Sequence, residues 1–217
     1  MNTGNPTFRA CLAAFVLAFA GGCAGLTPAA TATQPSFYAL DSVMAGTGTA
    51  LHDATRNAPT LLVSPPRAAA GYDSQRILYV RQPHKLEYFA HSEWIDSPAR
   101  MLAPLLVTAL SRGDGFRVVV PAQGSASADL RLDTEVLVLR QEFEGTPSRV
   151  RFVLRAALVG DATRRIVASR DFETLVAAPS EDPYGGVQAA NRAVQRVLAE
   201  LSDFCAEAAR LWKPGAN

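Results

Sequence analysis

The segment 129–140, DLRLDTEVLVLR, alternates polar and apolar side chains through most of its length. Successive side chains on a strand point to opposite faces, so this period describes a strand with one covered face and one face in water. Two further apolar runs follow at 150–159 and 165–172, and the turn-forming residues 160–163 separate them. Residues 129–172 therefore predict an antiparallel meander that forms the main body of a sheet.

Two segments carry apolar residues at helical spacing and should cover this sheet. The first follows Ser97, a good helix cap, with Pro98 at the first helical position and Gly113 at its end. The second runs from about residue 186 to 211. The pattern predicts a single layered α/β domain, with two main amphipathic helices packed on a mixed, mostly antiparallel sheet. Shorter strands are predicted at 37–40, 61–63, 76–81, 85–90 and 116–120, the third and fourth as a hairpin.

The beginning of the chain reads as a targeting segment. Arg9 precedes an apolar run that ends at Ala20, too short for the roughly 20 apolar residues that span a bilayer. Ala20-Gly-Gly-Cys23 resembles the lipobox, although Leu usually stands where Ala20 is found. We therefore predict a lipoprotein signal peptide at 1–22 and lipidation of Cys23. An ordinary secretory signal, which would leave Cys23 a free thiol, is the alternative.

The residues that follow fit a lipid anchor. Residues 23–36 are rich in Ala, Thr and Pro and predict a flexible tether before a domain at 37–212, with a short tail at 213–217. Ala24 stands where Asp would favour retention in the inner membrane. The expected location is the outer membrane, with the domain on its periplasmic side.

Charge and motifs exclude several classes of function. The formal net charge of +1 is spread over mixed Arg, Asp and Glu, so no basic stripe predicts nucleic-acid binding. The mature chain contains no Walker loop, no Gly-x-Ser-x-Gly elbow, no Cys-x-x-Cys and no His-Glu-x-x-His. The sequence accordingly predicts neither a cofactor nor a catalytic residue.

Two polar groups deserve comparison with known kinds of site. His84 and His91, with Glu87 and Glu93, could suggest a metal, but alternation along an extended segment puts them on inconsistent faces. Asp129 and Asp133 share a strand face, yet acids flanked by arginines on a strand usually face water. Both groups are therefore interpreted as solvated surface residues, and no metal ligand is predicted.

No internal disulfide is expected. Cys11 should leave with the signal peptide and Cys23 should be lipidated, which would leave Cys205 without a partner for a disulfide. Cys205 lies on the apolar side of the second helix, which predicts buried packing. A reactive or metal-binding thiol is the alternative.

Three aromatic residues just before the first helix are the candidate contact residues: Tyr88, Phe89 and Trp94. They could form an apolar surface for lipid or for a partner protein, or they could close the end of the core. Because neighbouring residues on a strand point to opposite faces, Tyr88 and Phe89 cannot both face inward.

The segment 86–94, LEYFAHSEW, with 97–102, SPARML, resembles the tyrosine, tryptophan and helix-start signature of the ABC-type transport auxiliary lipoprotein family. That family includes the paraquat-inducible protein C lipoproteins of Gram-negative bacteria. The likeness covers most of residues 37–212. Further segments that carry it are 37–40, 128–132, 157–159, 165–172 and 187–193.

This resemblance implies a non-catalytic adaptor that works with an ABC ATPase, a permease and a protein of the mammalian-cell-entry (MCE) type. The implied process is movement of lipids or other hydrophobic compounds across the envelope. An outer-membrane assembly or structural lipoprotein, for lipopolysaccharide or secretion machinery, is the alternative. A hydrolase would need a cleft that gathers distant polar residues. The oligomeric state stays open, and a homo-oligomer is allowed.

Overall fold

The computed structural model describes residues 34–41, 57–122 and 127–213. The predicted signal peptide, Cys23, most of the tether and the tail beyond Lys213 lie outside the described residues. Nine strands are present in the described part: β1 (Ser36–Tyr38), β2 (Thr60–Val63), β3 (Arg67–Ala68), β4 (Arg76–Gln82), β5 (Lys85–Trp94), β6 (Val118–Pro121), β7 (Leu130–Glu142), β8 (Arg149–Gly160) and β9 (Ile166–Ala177). The two helices described are α1 (Pro98–Arg112) and α2 (Pro183–Leu211).

The long strand β7 organises the sheet. One of its edges pairs with β8 over the full length of both strands, from Leu130 opposite Gly160 to Glu142 opposite Arg149. β9 continues the sheet antiparallel to β8. The predicted meander is confirmed, and its last strand runs five residues further than expected, to Ala177.

The other edge of β7 is shared by three short parallel strands. β2 pairs beside Leu130, β3 beside Glu135 and β4 beside Gln141. β6 extends the sheet beyond β2, while β5 and then β1 extend it beyond β4. The long pairings are antiparallel and the short ones mostly parallel, which confirms a mixed α/β layered domain.

Both helices lie where the periodicity predicts them, but their starts differ in detail. Pro98 occupies the first turn of α1 as expected, whereas the Ser97 side chain makes no capping hydrogen bond. α2 begins at Pro183 rather than near residue 186, because the Asp182 carboxylate accepts a 2.7 Å hydrogen bond from the Gly185 backbone N–H. The sequence pattern places the start of this helix too far along the chain, because Gly185 and Gly186 are poor helix formers.

The core lies between the two helices and one face of the sheet. Strand residues Phe152 and Leu158 and helix residues Leu106 and Leu201 are fully buried there. At Gly115, a side-chain carbon would stand 2.6 Å from the Ala206 Cα, so only glycine lets α2 approach this turn. No helix in the described ranges is both long enough and apolar enough to cross a bilayer.

Candidate contact surface

The β4–β5 hairpin carries the candidate aromatic residues. Its register sets Leu78 opposite Tyr88 and Val80 opposite Leu86, so these four side chains share one face. The turn passes through His84, which adopts a positive φ of 66°. Pairing of β4 with the end of β7 fixes the hairpin to the sheet.

Tyr88 and Leu86 are both exposed on this face. The guanidinium of Arg76 lies over the Tyr88 ring, 4.1 Å from its centroid. The attraction between a cation and the face of an aromatic ring stabilises this arrangement and keeps the ring in a fixed position. We call Arg76, Leu86 and Tyr88 the hairpin surface. It combines an apolar area with a positive charge.

The opposite face of the hairpin holds a second aromatic group. The ring centroid of Tyr79 is 4.5 Å from that of Phe89 and 5.8 Å from that of Phe143. The Arg81 guanidinium lies 5.0 Å from the centroid of Tyr79. Phe89 and Phe143 are half-buried, so this group stiffens the hairpin more than it offers a surface.

The three sequence candidates therefore have three different environments. Tyr88 is exposed and Phe89 faces the other way, as alternation requires. Trp94 is only 3% exposed and packs in the core, so of the three only Tyr88 presents a largely open surface. Arg76 and Leu86 were not among the sequence candidates, although the register of a hairpin could have placed them beside Tyr88.

An ion network lies beside the hairpin surface, on the same face of the sheet. Val80 pairs with Glu142 across β4 and β7, and Glu142 is only 6% exposed. Its carboxylate accepts hydrogen bonds from Arg151 Nε at 2.8 Å and from Arg140 Nη2 at 2.9 Å. Arg151 also pairs with Glu173. Burial by itself would raise the pKa of Glu142, but the two arginines outweigh it and hold the pKa below its ordinary value.

Replacing Glu142 by Gln should lower the free energy of unfolding at neutral pH by about 2 kcal/mol, since two charge-assisted hydrogen bonds weaken. A carboxyl group whose pKa is lowered by folding stabilises the protein above its unfolded pKa, about 4.3. That contribution is lost as the pH falls through the folded value. Urea unfolding at a series of pH values should thus show a smaller acid-induced loss of stability in Glu142→Gln than in the wild type.

Asp171→Asn is the matched control. Asp171 also pairs with an arginine, Arg155, but this pair is exposed, so Asp171→Asn should change the free energy of unfolding far less than Glu142→Gln. An equal decrease in the free energy of unfolding in both variants would show that burial does not strengthen the ion pairs of Glu142.

The remaining acidic candidates serve the fold. Asp129 accepts hydrogen bonds of 2.8 Å from both the backbone N–H and the hydroxyl of Thr60, and these lower its pKa. Asp133 accepts from Arg131 and from the Ser64 hydroxyl. These contacts join β2 to β7. Within the described ranges, no group of three or more His, Cys, Asp or Glu side chains could hold a metal ion.

Cys205 is buried in α2, as predicted. Burial raises the pKa of its thiol to about 12. A thiol in that environment stays protonated at physiological pH and is a poor nucleophile. Cys205 is thus a packing residue.

Comparison with known proteins adds a family and a fold. The sequence model of a family described as ABC-type transport auxiliary lipoprotein component matches residues 38–202. The structure resembles that of protein XCC0632 from Xanthomonas campestris, with 24% identity, a TM-score of 0.66, and coverage of 70% of this chain and 86% of that one. The crystal structure of an uncharacterized protein is also similar, with 15% identity, a TM-score of 0.61, and coverage of 79% and 98%. No curated protein matches the chain.

Proposed function

Since the chain belongs to the family of ABC-type transport auxiliary lipoprotein components, we propose that it is a non-catalytic adaptor of an MCE-type transport system. In this proposal acylated Cys23 holds the domain at the periplasmic side of the outer membrane. The partners are an MCE-domain protein and the ABC permease and ATPase of the same system. The cargo is a lipid or another hydrophobic compound.

The observation that carries this proposal is the hairpin surface. Tyr88 and Leu86 stay exposed although the hairpin is fixed to the sheet and stiffened by the aromatic group behind it. Exposed aromatic side chains held rigidly are typical of protein interfaces, because little conformational entropy is lost when they bind. Two of the three residues of the hairpin surface, Leu86 and Tyr88, lie in the segment 86–94, which also carries the family resemblance.

The state of the acidic residues supports a role without catalysis. Asp129 and Glu142 are each engaged by hydrogen bonds within the fold, and these hydrogen bonds hold the pKa of each carboxyl group below its ordinary value. Arginine or backbone N–H donors stabilise the ionised form of such carboxyl groups, which makes them poor proton donors at neutral pH. An adaptor acts through surfaces and requires none of them to be free.

The proposal is tested by cross-linking cells, isolating the protein from envelope membranes in mild detergent, and identifying what travels with it by mass spectrometry. Capture of an MCE-domain protein together with acylated Cys23 is the expected result. Capture of lipopolysaccharide or secretion machinery instead would favour an assembly lipoprotein and overturn the transport proposal.

Replacing Tyr88 by Ser should weaken capture of the MCE-domain protein by roughly tenfold or more, since a central aromatic contact often contributes about 2 kcal/mol to binding. The fold should survive because Tyr88 is exposed and lies outside the core. Quantitative mass spectrometry of the cross-linked complex measures the loss, and circular dichroism checks the fold.

Ile166→Ser is the control for this experiment. Ile166 is also a large, exposed apolar residue at 68%, but it lies at the start of β9, far from the hairpin in the strand order. Capture should be unchanged in this variant. If the Tyr88 variant captured as much MCE-domain protein as the wild type, the hairpin surface would not be part of the interface.

A further inference from the structure

A second group of exposed apolar residues surrounds β1, where the described domain begins. Phe37 is 60% exposed, Ile95 61% and Tyr184 56%. The Ile95 backbone N–H donates to the Tyr38 carbonyl at 2.7 Å, which sets Ile95 against the end of β1. Phe37 and Tyr184 line one cleft of about 450 Å³ between β1 and α2. We call Phe37, Ile95 and Tyr184 the N-terminal patch.

The patch is held in a fixed orientation. The Asn191 side-chain oxygen accepts a 2.9 Å hydrogen bond from the Asp41 backbone N–H, and its amide group donates to the Ala39 carbonyl at 3.2 Å. The Tyr38 and Tyr184 rings also contact each other, with centroids 6.3 Å apart. These contacts fasten the end of β1 to α2, so Phe37 and Tyr184 keep their relative positions.

The covalent chain limits how far this patch can lie from the anchor. The backbone between Cys23 and Phe37 spans at most about 50 Å when fully extended, and any less extended conformation brings them closer. α2 has 29 residues and is about 43 Å long. Val167, the neighbour of Ile166, lines a cleft with Leu211 and Trp212 at the far end of α2. The anchor therefore holds Ile166 less closely to the membrane than it holds the patch.

We propose that the N-terminal patch rests on the lipid bilayer to which Cys23 is fixed. This inference rests on the membrane anchorage in the proposed function and not on its transport partners. Phenylalanine, tyrosine and isoleucine side chains favour the boundary between headgroups and acyl chains. Attachment through Cys23 gives the patch a high effective concentration at the bilayer, so a weak contact is enough to orient the domain.

The charges around the patch favour an apolar contact over an electrostatic one. Arg100 pairs with Asp96 at 3.6 Å. Asp41 and Arg192 both line the cleft beside Phe37. At both places one basic residue lies near one acidic residue. These residues therefore form no basic cluster that would select anionic lipids. Contact with the bilayer should accordingly persist in high salt and in vesicles of neutral lipid.

This orientation leaves the hairpin surface accessible. β5 begins at the hairpin turn and ends beside β1, and its ten residues span about 30 Å. With the N-terminal patch on the membrane, the turn end of β5 is the end away from β1. Tyr88 and Leu86 would then be free to meet a protein that approaches from the periplasm.

Site-specific labelling of the intact, acylated protein tests this proposal. Phe37→Cys is labelled with a fluorophore, and the protein is reconstituted into phosphatidylethanolamine and phosphatidylglycerol vesicles that contain spin-labelled lipid as quencher. The background thiols do not interfere, because acylation blocks Cys23 and Cys205 is buried. Strong quenching at position 37 is expected. Ile166→Cys, matched in exposure, should show little quenching.

Tyr184→Cys provides a second label on α2 in case the substitution in β1 impairs folding, and it should also be quenched. Weak quenching at both 37 and 184, or equal quenching at 37 and 166, would overturn the inference while the transport proposal stands. If the protein did not float with vesicles and mass spectrometry found no acyl chains on it, the proposed membrane anchorage would be wrong. Both proposals would then fail.

Discussion

Replacing Cys23 by Ala is expected to release the protein from the membrane fraction completely. Lipid transfer requires the cysteine thiol, and alanine offers no atom to alkylate. The several acyl chains of a lipoprotein hold it at the bilayer through about 0.8 kcal/mol for each buried methylene. Without them, the N-terminal patch alone is too small to retain the domain. Fractionation of the envelope, followed by mass spectrometry of the mature N-terminus, measures the result.

Cys205→Ala is the matched control, since it removes a thiol that is buried in the core. That variant should remain in the membrane fraction with its acyl chains in place. Persistence at the membrane of a Cys23 variant that has lost residues 1–22 would show that anchorage does not depend on this residue. The signal segment would then need a different interpretation.

The elements with local signals were predictable from the sequence. Alternation in residues 129–140 gives β7 its covered and open faces, and the same rule puts Tyr88 and Phe89 on opposite sides of β5. Helix α1 has Pro98 at its start, where the fixed φ of proline suits the first turn, and Gly113, a poor helix former, just after its end. In each case a few neighbouring residues contain all the information.

Features that depend on distant segments were not predictable in the same way. β2, β3 and β4 lie in order along one edge of β7, and nothing local in these short strands specifies that shared edge. β3 has only two residues and was missed altogether. The association of Tyr79 with Phe143 depends on the pairing of β4 with the end of β7, so it could not be read from either segment alone.

The candidate site shows the same division. Sequence periodicity separated Tyr88 from Phe89, but it did not decide whether Trp94 was a contact or a core residue. The pairing of β5 with β4 decides it. Leu78 lies opposite Tyr88 but Arg76 lies opposite Glu93, so β5 has extra residues between these two pairs, and they turn Trp94 to the face of Ile77 and the core. Such a β-bulge changes which face a side chain occupies.

Replacing Phe152 by Ala should have the largest effect on stability of any change considered. Phe152 is fully buried near the start of β8, between Leu139 of β7 and Thr174 of β9. Loss of a buried phenylalanine ring typically costs about 4 kcal/mol, which corresponds to a decrease in Tm of roughly 10 °C in a domain of this size. Thermal unfolding followed by circular dichroism measures the change.

Val153→Ala is the control, because the neighbouring residue points to the open face of the sheet and should cost about 1 kcal/mol or less. Similar losses in both variants would mean that the face beneath the helices is not the main core. The Phe152 variant should still carry acyl chains on Cys23, since lipidation depends on the N-terminal segment. Cys23→Ala should conversely keep the wild-type Tm, so anchorage and folding are separable properties of this chain.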